Sequence, residues 1–580
     1  MSLVLYGVGV GQGYAVGRVH LLSSGLDDVP QYSIKEEELE AEVKRYESAV
    51  RRTKEHLIDL KKNIPSDAPT ELGTFLSFHL MLLADANLSQ APIELIREKK
   101  INTEWALRQQ LTKLLGQFDS MTDEYLRTRK QDLIQVVEKI YNSLSGVKLS
   151  NIQPNDLFED VVLVATDISP AEVMLFRGSG VVAFTTDLGG PTSHTAILGR
   201  TLDIPSVFGL RNARDLLKED EWVIVDGVNG VVILDPDKVI LEEYREKIQL
   251  AKKNQLKLNK FRNISAKTKD GVSIELLANI ESIADITASN KAQVVGIGLF
   301  RSEFLFLNRP NMPTEDEQFE YYMQLVESLG GKPLTIRTID IGREKKPTWL
   351  RPTGVLNPAM GLTGIRLSLA EPIMFRTQMR AILRAGLYGK IKLLWPMIAS
   401  LSELKRCLSH LEIAKEQLSS RGEPFNSNIE VGIMVEIPSA ALTIASLLKY
   451  IDFISIGTND LIQYTMAVDR SDDTVNYLYQ PLHPAVLKLI NHTIKTAFKQ
   501  HKPVTICGEM AADPRLTRVL LGLGLRSFSL NFSSVLPVKS AIVNTDIRDL
   551  EGYVTRLLYN ENPDRIEDLL SKINGDGSLE

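Results

Sequence analysis

From residue 263 to the end of the chain, eight short apolar runs recur in order, each parted from the next by a helix-length segment. They fall at 274–278, 294–298, 334–337, 391–395, 431–435, 453–456, 504–507 and 527–530. Short apolar runs without strict alternation are what parallel strands buried on both faces require. Eight of them alternating with helices predict a (β/α)8 barrel. Such a barrel carries its chemistry just past the C-terminal ends of its strands. Polar residues stand at those places: Asn279 after the first run, Arg301 after the second, Arg337 ending the third, Glu436 after the fifth, Asn459 and Asp460 after the sixth, and Cys507-Gly508-Glu509 at the seventh. Arg470 lies on the excursion after the sixth.

These residue types converge on one kind of ligand. Three arginines can grip a phosphate and a carboxylate through paired hydrogen bonds, and Glu436 and Asp460 offer hard oxygens to Mg²⁺. The same carboxylates could instead form rim salt bridges with the arginines. The substrate indicated is small, doubly anionic and phosphorylated. Cys507, at a strand end among cations, is expected to have a depressed pKa and to act as an acid or base, or else to be an inert buried thiol.

A second chemical signal precedes the barrel. In Gly189-Gly190-Pro191-Thr192-Ser193-His194-Thr195, the glycines and proline forbid an earlier helix, and the apolar run from Ala196 continues one. Thr192 or Ser193 can cap it, and the free N–H groups of its first turn favour an anion. His194 can there carry a phosphoryl group, donate a hydrogen bond, or pack.

The remaining organisation is readable in outline. Residues 1–30 and 146–236 are strand-rich and are expected to form one α/β domain, interrupted by a helical bundle over 31–145. The glycine-rich opening, Gly7 to Gly13, precedes another strand-like run where a dinucleotide fingerprint needs a helix, so it predicts a structural hairpin. Residues 237–262 are charged and helical, suited to a solvated linker, and 263–580 form the barrel. A net charge of −6 gives no basic field for nucleic acid. Cys407 and Cys507 are the only cysteines, no zinc spacing occurs, the opening residues lack the basic run of a signal peptide, and nowhere do 18 apolar residues run uninterrupted. A cytoplasmic protein without membrane insertion is expected.

The motifs resemble those of the enzyme I family of the phosphoenolpyruvate (PEP):sugar phosphotransferase system, the PEP-protein phosphotransferases. Besides the His194 segment they are Gly298-Leu299-Phe300-Arg301-Ser302-Glu303-Phe304, Met434-Val435-Glu436-Ile437-Pro438, Ser455-Ile456-Gly457-Thr458-Asn459-Asp460-Leu461 and Cys507-Gly508-Glu509. The resemblance covers essentially the whole chain in one domain order. It implies that His194 is phosphorylated, that Arg301, Arg337, Asn459 and Arg470 bind PEP, that Glu436 and Asp460 hold Mg²⁺, and that Cys507 donates a proton. Lys345 corresponds to another active-site lysine. Ser169 stands where the family often has threonine and offers a hydroxyl to the His194 ring. The helical insertion corresponds to the docking domain for the phosphocarrier protein HPr, and a homodimer through the barrel is implied.

Some positions depart from the family. Arg343-Glu344 replaces Gly-Asp ahead of Lys345, and Thr363 stands where an arginine is usual, which removes one cation near the substrate. Arg343 could restore the charge or face solvent. Leu83 to Asn87 carries fewer acids than usual, leaving Asp85 and Glu71, so the carrier is HPr or a variant. A pyruvate phosphate dikinase or PEP synthase relative would need a nucleotide-binding region for which this chain has no room. Its nearest approach to a P-loop, Gly330-Gly331-Lys332-Pro333, lacks the hydroxyl residue. A non-catalytic PEP sensor would have no use for both Cys507 and His194.

Overall fold

A computed structural model describes the chain except for residues 1, 11–12, 23–28, 63–69, 120–129, 145–159, 169–179, 189–203, 284, 287–291, 308–310, 342–359, 470–474 and 576–580. It separates into two units, Met1–Gln255 and Leu256–Glu580.

The first unit holds strands β1 (Leu3–Tyr6), β2 (Val8–Val10), β3 (Tyr14–Leu21), β4 (Val161–Ala165), β5 (Val181–Thr186), β6 (Ser206–Phe208), β7 (Trp222–Asp226) and β8 (Val231–Leu234). They form one sheet in the order β1-β8-β7-β3-β4-β5-β6-β2. β3 pairs with β4 on one side and β7 on the other, so the opening strands and those beyond the helices share a sheet, as expected.

The expected hairpin is not formed. β1 pairs with β8 and β2 with β6, at opposite edges of the sheet, yet only Gly7 separates them in the chain. The sheet therefore curls until its two edges meet at one bent strand. The glycines serve close approach rather than chain reversal: a Cβ on Gly7 would lie 2.4 Å from the Phe208 carbonyl oxygen, and one on Gly9 would lie 2.3 Å from that of Gly227.

Between β3 and β4 runs the helical insertion, with helices Leu39–Lys62, Thr70–Ala84, Ala86–Ser89, Ala91–Lys99, Thr103–Asp119 and Lys130–Leu144. Their shared core includes Tyr46, Leu57, Leu76, Leu88, Ile96, Leu107 and Val136. Leu83 is buried in this core, whereas Phe75 and Leu82 are half-buried at its margin.

Helix Lys238–Asn259 departs from a simple solvated spacer. Ile240, Leu241, Tyr244 and Ile248 pack on the sheet, and the Tyr244 hydroxyl donates to Asp226 Oδ2 at 3.0 Å. Its later apolar residues, Leu250 and Leu256, are exposed.

The second unit closes the predicted barrel from β9 (Glu275–Ile280), β10 (Ile297–Arg301), β11 (Leu334–Arg337), β12 (Ile391–Trp395), β13 (Glu430–Val435), β14 (Phe453–Gly457), β15 (Val504–Cys507) and β16 (Ser527–Leu530), all parallel. β10 begins three residues later than its apolar run, although the residues before it already bond to β9: the Val295 N–H donates to the Leu276 carbonyl at 3.0 Å, and the Gly296 carbonyl accepts from Ala278 at 3.0 Å. Leu393, Ile433, Ile454 and Phe528 are fully buried. Each such side chain stabilises the barrel by about 1.5–3 kcal/mol.

Candidate active site at the barrel rim

Strand register decides which side chains meet. Arg301 and Arg337 are register partners on β10 and β11, so both arginines leave the barrel at one level. Val435 pairs with Ile456, and Gly457 with Cys507, so Glu436, one residue past β13, comes level with Gly457 and Cys507. Helix Thr458–Met466 starts directly after β14 and sets Asn459 and Asp460 in its first turn.

Arg337 is held between two acids. Its guanidinium bridges Glu303 at 2.8 Å and Asp340 at 2.9 Å, and the Asp340 N–H donates to Glu303 Oε1 at 3.0 Å. Burial opposes the charge on Arg337, but Glu303 and Asp340, with Glu436 and Asp460 beyond them, drive its pKa upward. Arg301 is more open, with 41% of its side chain exposed, and pairs with Glu281 at 2.7 Å.

Glu436 is fully buried. Its Oε1 accepts the N–H of Met397, a residue held in the left-handed region at φ +56°, while Oε2 has no hydrogen-bond partner among the described residues. A Cβ on Gly457 would lie 2.9 Å from that oxygen, so the glycine gives the carboxylate its room. Burial raises the Glu436 pKa well above the carboxylate range; Asp340 and Asp460 raise it further, and Arg337 opposes them. A buried carboxylate with an unpartnered oxygen, facing two more acids, fits a cation. No cluster of three or more His, Cys, Asp or Glu among the described residues is arranged as a metal cage. Mg²⁺ suits such a place, because it takes one or two carboxylates and keeps its other positions for water and substrate oxygens.

Asn459 is fixed by the next strand end: its Oδ1 accepts from the Glu509 N–H at 2.8 Å, and its Nδ2 donates to Glu509 Oε1 at 3.3 Å. Gly508, at φ +99°, makes the turn that allows this, and a Cβ there would meet Thr458 Oγ1 at 2.4 Å. Gly508→Ala is expected to cost about 1–3 kcal/mol of stability and to raise the KM for an anionic substrate by displacing Asn459. Thermal melting with steady-state kinetics checks this, and an unchanged melting temperature would refute it.

Cys507 corrects an expectation. Its pKa is pushed up to about 11, not depressed; burial is the largest cause, with a hydrogen bond from Ser455 and the charges of Arg337 and Arg301 only partly offsetting it. The thiol donates to the Ile456 carbonyl at 3.4 Å and accepts from Ser455 Oγ at 3.3 Å. It is a protonated acid at neutral pH.

Asn279 is half-buried near the C-terminal end of its strand, level with Leu299. It lies within β9 and uses its amide on Ser529 of β16. Thr363, at the departure from the family pattern, is buried and donates to the Ile341 carbonyl at 3.2 Å. His194, Thr192, Ser193, Ser169, Lys345 and Arg470 lie outside the described residues, as do Arg343 and Glu344. The arrangement adds Glu303, Asp340, Glu281 and Met397, none of them expected. The signal for the first two was an acid two or three residues after each rim arginine, where burial demands a counter-charge.

Three regions match families of PEP-utilising enzymes: residues 6–129 the N-terminal domain, 157–230 the mobile domain and 255–547 the PEP-binding domain. Together with the barrel and its cationic, carboxylate-bearing rim, they define the chain as a PEP-utilising enzyme. It is 46% identical over 575 residues to the phosphoenolpyruvate-protein phosphotransferase of Cupriavidus necator, covering 97% of this chain and 98% of that one. It is 39% identical to that of Bacillus subtilis, covering 96% of each chain, and 36% identical to that of Listeria monocytogenes, covering 99% of each. The chain belongs to the phosphoenolpyruvate-protein phosphotransferase family.

Proposed function

We propose that this enzyme moves the phosphoryl group of PEP to its own His194 and then to HPr or a variant of it, releasing pyruvate. The observation that carries this reading is the convergence of Arg301, Arg337, Asn459, Glu436, Asp460 and Cys507 at one barrel rim, in a chain of this family. The arginines, with Arg470 and Lys345, would grip the phosphate and carboxylate of PEP. Glu436 and Asp460 would hold Mg²⁺, which when bound neutralises phosphate oxygens. Phosphoryl transfer has a loose, charge-dispersed transition state, so fixed cations supply most of the rate.

The atoms balance simply. The P–O bond of PEP breaks as the phosphoryl group bonds to an imidazole nitrogen of His194, leaving the enolate of pyruvate. The enolate takes a proton at carbon from Cys507, and water returns one to the thiolate. Ser169 would fix the His194 ring, and Thr192 and Ser193 would cap its helix. In this reading residues 1–30 and 146–236 carry the phosphohistidine, 31–145 dock the carrier, 263–580 bind PEP, and 237–262 form the linker. The histidine domain must swing between donor and recipient, and we place the turning point after Ile248, beyond the part of the helix docked on its sheet. A cytoplasmic homodimer joined through the barrel completes the reading. No helix among the described residues is long and apolar enough to cross a membrane.

The test is direct. Radiolabelled PEP with Mg²⁺ is expected to give acid-labile, base-stable label in the peptide containing His194, and the label should pass to HPr. No label from PEP, label only from ATP, or label on another peptide would each overturn it.

A further inference from the structure

One buried amide from the outer helical layer links the two segments that bear the rim arginines. Gln378, on helix Pro372–Ala385, is fully buried. Its Oε1 accepts the N–H of Ile339 at 3.0 Å, and its Nε2 donates to Ser302 Oγ at 2.9 Å and to the Tyr322 hydroxyl at 3.3 Å. Ser302 in turn donates to the carbonyl of Arg337 at 2.6 Å. Ser302 sits between Arg301 and Glu303, and Ile339 sits between Arg337 and Asp340. A single side chain thus reaches both segments at once.

Only an amide serves every partner. It presents an acceptor to the Ile339 N–H and two donors to the hydroxyls. Leucine would leave that N–H unpaired. Glutamate would turn the donating end into an acceptor, and Ser302 would have to point its one proton at the carboxylate instead of at Arg337.

We propose that Gln378 is a positioning residue for PEP: it fixes the level of Arg337 and Asp340 relative to Arg301 and Glu303, without touching substrate. This rests on the rim being the PEP site. Since a displacement of about 1 Å at a reacting centre can cost roughly 100-fold in rate, a buried amide linking both arginine segments has leverage on turnover.

The experiment uses the full-length protein with PEP and Mg²⁺, reading kcat, KM for PEP and the melting curve. Gln378→Leu and Gln378→Glu are expected to raise the KM and lower kcat/KM by about 10- to 100-fold in protein that melts cooperatively. Ser302→Ala breaks the same link from the other side and should shift the KM in the same direction, which keeps the test alive if a Gln378 variant does not fold. Tyr322→Phe removes a hydroxyl on the same amide but neither arginine segment, and should keep the wild-type KM. A purely structural role would lower kcat in proportion to the folded fraction with the KM unchanged, and that outcome overturns the proposal. So does a wild-type KM in Ser302→Ala. Arg337→Ala separates the two levels: if it keeps PEP turnover, the PEP site itself is misplaced and the positioning role falls with it. If it loses PEP while the Gln378 variants do not, the positioning role alone is overturned.

Discussion

Replacing Glu436 with glutamine is expected to remove most PEP turnover while making the metal-free protein more resistant to heat. The two effects share one cause. The carboxylate is fully buried, one oxygen has no hydrogen-bond partner among the described residues, and Asp340 and Asp460 add like charge. Its folded-state pKa therefore lies above its unfolded value. The folded protein holds that proton more tightly than the unfolded chain does, so stability falls as the pH rises from the ordinary carboxylate range toward the raised value. Glutamine keeps the acceptor for the Met397 N–H and removes the charge. In EDTA at neutral pH the variant should be about 1–4 kcal/mol more stable than wild type, the range seen when buried ionic groups are replaced by well-fitting neutral ones. The gain should shrink as the pH falls to the ordinary carboxylate range, where the unfolded wild-type chain takes up the same proton and the raised pKa no longer costs stability. With Mg²⁺ restored, wild type should recover stability that the variant does not, and the variant's kcat/KM should lie about 10²–10³-fold below wild type. Melting curves with and without EDTA at two pH values, beside a pyruvate assay, decide it. A variant less stable than wild type in EDTA would mean that Glu436 is held by partners rather than strained by their absence.

The barrel was legible because its signal is redundant. Eight apolar runs each predicted a strand, and an error at one, such as the three-residue offset of β10, did not disturb the closure set by the other seven. The opening glycines were misread for the opposite reason. A glycine-punctuated strand pattern looks alike whether the glycines turn the chain or admit another backbone, and only the three-dimensional neighbours Phe208 and Gly227 distinguish the two. The docked half of helix Lys238–Asn259 was hidden by charge: its apolar face of Ile240, Leu241, Tyr244 and Ile248 is diluted among lysines and glutamates. At the rim, the arginines and Glu436 were legible because strand ends fix their level. Glu303 and Asp340 became visible only with burial, since near an arginine in sequence an acid can equally face water. The direction of the Cys507 shift was unreadable for a related reason: a strand end says that cations are near, not that water is excluded.

That exclusion of water carries the second large expectation. With its pKa near 11 and its S–H on the Ile456 carbonyl, Cys507 is loaded with a proton throughout the neutral range. An acid must be protonated to act, so its contribution to pyruvate formation should be flat from pH 6 to about pH 10 and fall only as the thiol itself ionises. A depressed thiol would give the opposite profile, with activity already falling through neutrality. Cys507→Ala removes the acid but none of the groups that grip phosphate. Pyruvate formation should therefore drop by about 10²–10⁴-fold, the usual contribution of a positioned acid, while PEP still binds with near wild-type affinity. Cys507→Ser should rescue little, because an alcohol gives up its proton far less readily than a thiol. Proton NMR supplies a separate readout: the wild type should exchange the methyl protons of pyruvate with solvent, and the alanine variant should not. Retention of exchange in Cys507→Ala, or a wild-type rate of pyruvate release, would assign the proton to another group and return this buried thiol to a packing role beside Leu299, Leu394, Met434 and Phe453.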